Sequence, residues 1–187
     1  MLEKDGTQIS DPQGVLNEIE NFYSTLYSPL KVSNDTLHGI HIDIPKLNET
    51  ESQALEGYIT QKEALHAIKS MKNNKTPGID GLPCEFYKFF WPKIGDHVFA
   101  CYQAVFRQGN LSQEQRRAII TLLPKKDKSR EFLKNWRPIS LLNTDYKILT
   151  KTIAFRIQKL LPDIIGPEPT GCIKGRYIGE NIRIIEY

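Results

Sequence analysis

Two short apolar runs on either side of a lysine-rich loop constrain this chain more than any other feature. The first run, residues 118–123, is rich in β-branched side chains and ends at Pro124, which predicts a strand. The second run, residues 139–142, follows a polar loop and returns beside the first. We therefore expect a hairpin-like flap with Lys125 and Lys126 at one side of its base and Arg137 at the other.

The flap is strongly basic. Between Arg116 and Arg137 there are eight lysine and arginine residues against two acidic ones, a local net charge of +6. Arginine supplies a rigid fork of donors and lysine a mobile ammonium, so this segment could hold phosphate groups. A solvated basic loop without a ligand explains the same charge, and the charge count alone favours that interpretation.

The composition of the whole chain is that of an ordinary globular protein. It has 187 residues, of which 40% are hydrophobic and 25% charged, enough for one or two modest cores. Residues 1–60 carry a net charge of −7 and residues 61–187 one of +10. This favours a basic body that faces nucleic acid, although chance unevenness between surfaces gives the same count.

Cysteine spacing and hydropathy exclude several classes of protein. The three cysteines show no CxxC spacing, which indicates neither a zinc site nor a disulfide framework. No apolar run has the length that a bilayer requires, and the residues after Met1 do not resemble a signal peptide. We expect reduced thiols, no membrane partner and an intracellular location, in the cytoplasm and nucleus.

Helical periodicity describes the first part of the chain. Asp11-Pro12 is a typical helix start, and apolar residues then recur at helical spacing to about Tyr27. Residues 28–59 are polar and predict a long connector. Thr60 and Glu63 have the spacing of a capping box, which predicts that the next helix begins there.

Aromatic residues follow in residues 86–91, just before Pro92. They could stack on bases, but we interpret them as the core of a helical pair in which residues 98–106 form the second member. After the flap, Asn143 predicts the N-cap of a helix that runs to about Leu161.

Four stretches of the chain have a common pattern and order. They are KTPGIDGLP at 75–83, EFYK at 85–88, the lysine pair 125–126 followed by NWRPISLLN at 135–143, and GCIKGRYIGEN at 171–181. Together with residues 22–27, they resemble the reverse transcriptases of LINE-type (non-LTR) retrotransposons. The resemblance covers nearly the whole chain.

The resemblance implies an α+β, mostly helical fold: the fingers and partial palm of a right-hand polymerase, with a short antiparallel β flap. Residues 1–59 would be an N-terminal helix and connector that precede the polymerase core. Residues 60–187 would be the fingers and the beginning of a truncated palm. The implied function is that of a fragment of an RNA-directed DNA polymerase.

The resemblance also implies roles for particular side chains. Three match residues that hold the phosphates of the incoming dNTP: Lys125, Lys126 and Arg137. Three others match positions that contact the RNA template or the DNA primer: Lys75, Lys174 and Arg176.

The metal-binding half of the family's machinery has no counterpart in this sequence. The palm aspartates and the Tyr-x-Asp-Asp turn are missing, so we predict no catalytic residue and no metal ligand here. Mg²⁺ is expected only for the complete enzyme, and this chain alone is predicted inactive without the missing palm and thumb. Pro169 and Cys172 also depart from the family's Gln-Thr-Gly-Phe sequence, which favours a truncated or decaying element.

Two other functions stay open at this point. The chain could be a non-catalytic nucleic-acid-binding module that keeps the basic face. It could also be an inert product of a truncated element, or one that contacts other proteins through its acidic front helix.

Overall fold

Helices and two small β-ribbons make up the part of the chain that the computed structural model describes, residues 1–4, 6–29, 46–166, 173 and 175–177. The predicted α+β class is confirmed. The described residues divide into two compact units. A flap unit contains residues 1–4, 6–29 and 120–140, and a helical unit contains the others. The predicted division at residues 59 and 60 stays a prediction.

The flap unit begins with an antiparallel hairpin that the sequence interpretation missed. Strand β1 (Leu2–Lys4) pairs with β2 (Thr7–Ile9), so that Leu2 lies opposite Ile9. Gly6, in the turn, has a φ of +79°, a conformation that glycine adopts without strain. The Asp-Gly dipeptide at residues 5 and 6 is the sequence signal that could have predicted this turn.

Helix α1 (Pro12–Leu26) confirms the helix expected at Asp11-Pro12. The Asp11 carboxylate accepts a hydrogen bond of 2.6 Å from the amide of Gly14, which satisfies one of the amides that a helix start leaves free. Tyr23 is buried, whereas Leu16 and Leu26 are more than half exposed. The helix therefore packs through a narrower stripe than its apolar residues suggest.

The helical unit contains six helices among its described residues. In chain order they are α2 (Glu49–Leu55), α3 (Gln61–Ser70), α4 (Cys84–Gln108), α5 (Gln113–Arg116), α6 (Thr144–Gln158) and α7 (Leu161–Ile164). The capping box at Thr60 is confirmed: its side chain accepts from the Glu63 amide, and the Glu63 carboxylate accepts from the Thr60 amide at 2.7 Å.

Helix α2 corrects the prediction of a continuous connector over residues 28–59. Asn48 and Glu51 form a second capping box, in which the Glu51 carboxylate accepts from the Asn48 amide at 2.9 Å. This three-residue spacing was visible in the sequence. The prediction failed because the polar composition of the segment obscured a local start signal.

Helix α4 corrects the prediction of two helices broken at Pro92. It runs unbroken over 25 residues with Pro92 inside it, although proline removes one main-chain hydrogen bond. Tyr87 and Tyr102, one on each side of the proline, are both buried in the same core. Burying both halves of α4 in one core stabilises the continuous helix by more than the one hydrogen bond lost at Pro92 destabilises it. The aromatic patch is only partly core, because Phe89 is 77% exposed.

The core of the helical unit lies where α3 packs against α4 and α6. Tyr102 is 1% exposed, and burial raises its pKa far above the ordinary value, so its hydroxyl stays protonated. The hydroxyl donates to the main-chain oxygen of Asp145 at 2.8 Å. The buried members of this core are Ile59, Ala64, Ala67, Ile68, Tyr87, Tyr102, Ile148 and Leu149.

One arginine fastens the segment between α2 and α3 to helix α6. The Arg156 guanidinium donates to both carboxylate oxygens of Glu63, at 2.6 and 2.8 Å. It also donates to the main-chain oxygens of four consecutive residues, 55–58. Arginine suits this position because its planar fork can reach several acceptors at once. We call this set of contacts the Arg156 clamp.

Because of the Arg156 clamp, we expect the free energy of unfolding to decrease at acidic pH. The hydrogen bond from Arg156 is the main cause that lowers the Glu63 pKa from 4.5 to about 2. A carboxyl group whose pKa is lower in the folded state than in the unfolded state stabilises the fold at pH values above the unfolded-state pKa. This stabilisation is lost as the pH falls from 4.5 towards 2. We expect Glu63→Gln to be less stable than wild type near neutral pH, with a difference that shrinks across this window. Urea unfolding at several pH values measures it, and a difference independent of pH would contradict it.

Candidate functional site

Strands β3 (Ala118–Pro124) and β4 (Trp136–Leu142) form the ribbon of the predicted flap. The first strand was predicted correctly, whereas the second begins at Trp136 rather than at Ile139. The Lys125 amide donates to the Asn135 main-chain oxygen at 2.8 Å, just beyond the strand ends. In an antiparallel ladder, such a bond joins residues that lie directly opposite each other. Counting back from this pair, we infer that Leu123 lies opposite Arg137.

This register determines which side chains of the ribbon share a face. Side chains alternate along a strand, and Lys125 is the first residue after β3; we infer, by continuing this alternation, that Lys125 is on the same face as Leu123. Leu123 lies opposite Arg137, and opposite residues of an antiparallel pair point to the same face. Lys125 and Arg137 are therefore diagonal neighbours on one face of the ribbon. Lys126 comes directly after Lys125, and its side chain is exposed.

The side chains of Asn135 and Trp136 hold the loop that joins the two strands. The Asn135 amide group donates to the main-chain oxygen of Ser129 at 2.9 Å, and the Trp136 indole donates to that of Arg130 at the same distance. The loop main chain at Glu131 also accepts from the Glu3 amide at 2.8 Å. The loop is thus fixed at several points beside Arg137.

The ribbon contains two prolines, at positions where the lack of a main-chain N–H does not interrupt the hydrogen bonds between β3 and β4. Pro124 and Pro138 both occupy non-hydrogen-bonded positions of the register, where the main-chain nitrogen points away from the partner strand. Neither proline therefore removes a bond between β3 and β4. The missing donors lie on the outer edges of the ribbon.

The three predicted phosphate-binding residues differ in their surroundings. The Lys125 ammonium donates to the main-chain oxygen of Lys134 at 2.7 Å, which anchors it at the base of the loop and leaves two of its three donors. Arg137 is exposed, and among the described residues its side chain has no hydrogen-bond partner. Its guanidinium fork is thus available for a ligand.

Lys75 lies in the helical unit, in the loop 75–83, which is held against the start of α6. Gly78 is buried, and a Cβ atom added there would lie 2.6 Å from the Cα atom of Asn143. The Thr144 hydroxyl donates to the main-chain oxygen of Leu82 at 2.6 Å. The side chain of Lys75 itself is exposed.

Asn143 has a role that the sequence interpretation missed. It stands before α6 as predicted, but its side chain does not cap the helix. Its oxygen instead accepts from the Asp80 amide at 3.4 Å, and its nitrogen donates to the Glu114 main-chain oxygen at 3.2 Å. Asn143 thus joins the loop 75–83 to helix α5. Asp80 turns its own side chain to the Leu82 amide at 3.0 Å, which is an Asx-turn contact.

Arg176, predicted to contact nucleic acid, is engaged with main-chain oxygens around α7. Its guanidinium donates to Ile165 at 2.8 Å, to Pro162 at 3.3 Å and to Gly166. An arginine at the end of a helix satisfies carbonyl groups that the helix leaves free. The predicted role of Lys174 lies outside the described residues.

Within the described ranges, no three or more His, Cys, Asp or Glu side chains are grouped so that they could hold a metal ion. None of the helices described is long and apolar enough to cross a membrane.

The chain is similar to segments of several transposon proteins. It is 38% identical over 185 residues to a 149 kDa protein of transposon TX1 from Xenopus laevis, a match that covers 99% of this chain and 14% of that protein. It is 30% identical to a probable RNA-directed DNA polymerase from transposon BS of Drosophila melanogaster, over 56% of this chain and 12% of that protein.

A third relative is the retrovirus-related Pol polyprotein of the type-1 retrotransposable element R1 from Bradysia coprophila, 27% identical over 54% of this chain and 10% of that protein. No protein-family model matches the chain. The chain thus spans between 10% and 14% of the length of these three relatives. These similarities show that the chain is related to the proteins of transposons and non-LTR retrotransposons.

Proposed function

We propose that this chain is the fingers and the beginning of the palm of a retrotransposon reverse transcriptase. Lys125, Lys126 and Arg137 bind the phosphates of the incoming dNTP, while Lys75, Lys174 and Arg176 contact the RNA template or the DNA primer. The similarity to a probable RNA-directed DNA polymerase supports the activity class. Mg²⁺ is held in the complete polymerase by palm residues that this chain does not contribute, and the protein acts in the cytoplasm and nucleus.

The register of the ribbon carries the proposal. It puts an anchored ammonium and an exposed guanidinium on one face as diagonal neighbours. A triphosphate offers oxygens at several points along its length, so one cation can hold one phosphate while the arginine fork binds the next. Had the register shifted by one residue, Lys125 and Arg137 would face opposite sides.

A primer-extension assay tests the dNTP site, with the missing palm and thumb supplied as a separate polypeptide. Arg137→Gln should raise the KM for dNTP by about 10- to 100-fold, because a charge-assisted hydrogen bond contributes about 1.5–3 kcal/mol. Lys125→Gln should have a smaller effect in the same direction. The double variant Lys128→Gln/Arg130→Gln changes charge in the same loop and should leave the KM near that of the wild type.

Two results would contradict the proposal. One is an equal loss in the Lys128→Gln/Arg130→Gln control. The other is Arg137→Gln weakening RNA binding by this chain alone while the KM for dNTP is unchanged, which would favour a non-catalytic nucleic-acid-binding module. Primer extension by this chain alone, with magnesium and dNTPs, would refute the view that it lacks the catalytic half.

A further inference from the structure

A second cluster of lysine side chains surrounds a pocket of about 330 Å³ in the helical unit. Lys72 and Lys75 reach it from the segment after α3, and Lys147 and Lys151 from helix α6. No aspartate or glutamate is among the residues that line it, and the buried Cys84 and Thr144 complete part of its wall. We call this site the lysine pocket.

The positive charge of the lysine pocket is not balanced by its protein neighbours. None of its four lysines forms an ion pair with a carboxylate among the described residues. Burial raises the pKa of the Cys84 thiol, so that sulfur stays neutral and adds no counter-charge. The acids nearest to these residues in the sequence have other partners: Glu85 accepts from the amide of Asn74 and from the Cys84 thiol, Asp80 accepts from the Leu82 amide, and Asp145 accepts from the Gln115 side chain.

Local contacts hold two of these ammonium groups in place. The Lys147 ammonium donates to the main-chain oxygen of Thr76 at 3.2 Å, so α6 and the loop 75–83 meet at the pocket. The Lys151 ammonium lies 5.3 Å from the centre of the Phe155 ring. Each of these neutral contacts leaves donors for a ligand.

The arrangement is unfavourable in the absence of an anion. Lys147 and Lys151 are four residues apart on one helix face, a spacing at which like charges repel. Lys72 and Lys75 add two more positive charges at the same opening. A bound anion would relieve this repulsion.

We propose that the lysine pocket binds the phosphodiester backbone of a single RNA strand. The cations are mobile ammonium groups, and no guanidinium fork or base-sized aromatic platform lines the pocket. Such a set holds a backbone without reading its sequence. The volume suits one phosphate with its sugar, and the exposed Lys72 and Lys75 leave the opening accessible to a strand that continues on both sides.

This inference deepens the proposed function and rests on it for the choice of RNA as the strand. It adds Lys72, Lys147 and Lys151 to Lys75, the only one of the four that the family resemblance implied. The residues come from two segments that are separated by some seventy positions in the chain, which the hydrogen bond between Lys147 and Thr76 spans.

Fluorescence anisotropy of a labelled single-stranded RNA oligonucleotide, measured with this chain at several salt concentrations, tests the proposal. Each lost phosphate contact lowers the slope of log affinity against log salt by about 0.7 for a single strand. Lys147→Gln/Lys151→Gln should therefore lower the slope by about 1.4 and weaken binding roughly tenfold at low salt. Lys147→Arg/Lys151→Arg keeps the charge and should retain binding.

The control is Lys62→Gln/Lys93→Gln, which removes two charges from exposed positions of the same unit and should leave the slope unchanged. Calorimetry with inorganic phosphate alone should show no saturable binding at concentrations where RNA saturates the chain. An equal slope for wild type and Lys147→Gln/Lys151→Gln, an equal loss in the control, or saturable phosphate binding without RNA binding would each overturn the proposal.

The readouts separate the two proposals. With RNA template at saturating concentration, the KM for dNTP should rise in Arg137→Gln, whereas Lys147→Gln/Lys151→Gln should instead raise the template concentration that gives half-maximal rate. RNA binding that depends on the lysine pocket, combined with a KM that is insensitive to Arg137, would overturn only the dNTP site. RNA binding that is unchanged in Lys147→Gln/Lys151→Gln, together with a KM for dNTP that rises in Arg137→Gln, would overturn only the further inference.

Discussion

Gly78→Ala should destabilise the helical unit by about 3 kcal/mol or more, because a methyl group has no room there. A Cβ atom on residue 78 would lie 2.6 Å from the Cα atom of Asn143 and closer still to its main-chain nitrogen. Those atoms stand just before helix α6 and cannot rotate away as a side chain could. The loop 75–83 would have to move off the helix, with loss of the bond from Thr144 to Leu82.

Urea unfolding followed by circular dichroism measures this loss of stability. Hydrogen exchange of the loop amides shows where it arises, and exchange should increase first in residues 79–82. Gly81→Ala is the matched control: Gly81 has a φ of +70° but no atom within 4 Å of an added Cβ. It should cost only about 1–2 kcal/mol, the strain of a left-handed conformation. Equal losses in the two variants would show that conformation, rather than crowding at Asn143, dominates.

Arg156→Ala should lower the free energy of unfolding by about 3 kcal/mol, because it removes every contact of the Arg156 clamp at once. The carboxylate of Glu63 and the carbonyl groups of residues 55–58 lose the same donor. The Arg156 side chain is 13% exposed, so water replaces it poorly on that side. Arg156→Lys should recover only part of the loss, since one ammonium cannot reach all these acceptors.

Chemical unfolding of Arg156→Ala, Glu63→Ala and the double variant separates the ion pair from the carbonyl contacts. The double variant should be less destabilised than the sum of the single ones, because both remove the same pair. Arg107→Ala, at the exposed end of α4, removes an equal charge and should stay within about 0.5 kcal/mol of wild type. An Arg156→Ala variant as stable as this control would show that the Arg156 clamp does not contribute to the free energy of unfolding.

Local signals in the sequence predicted the parts of the fold that depend on near neighbours. The start of α1 at Asp11 and that of α3 at Thr60 each depend on side chains within three residues, and both were predicted correctly. Helix α2 and the first hairpin had equally local signals, which were overlooked. Helix α4 could not be predicted in this way, because what keeps it continuous at Pro92 is the common burial of Tyr87 and Tyr102.

The same distinction between local and long-range contacts applies to the residues of the candidate site. Lys125 and Arg137 were expected at the base of one flap, and the register follows from two short strands joined by a local loop. The second role of Asn143 could not be predicted, because the Asp80 amide that it binds is 63 residues away in the chain. The lysine pocket needs the same long-range packing, because the hydrogen bond that brings Lys147 to Thr76 spans 71 positions of the chain.

The positions of the two prolines have a consequence for how this chain behaves at high concentration. A free strand edge offers unpaired amides that a second polypeptide can use to extend the sheet. Pro138 withdraws one such amide from the middle of β4, and Pro124 withdraws one at the end of β3. The ribbon is therefore a poor template for strand addition, and a two-stranded flap can face solvent without recruiting copies of itself.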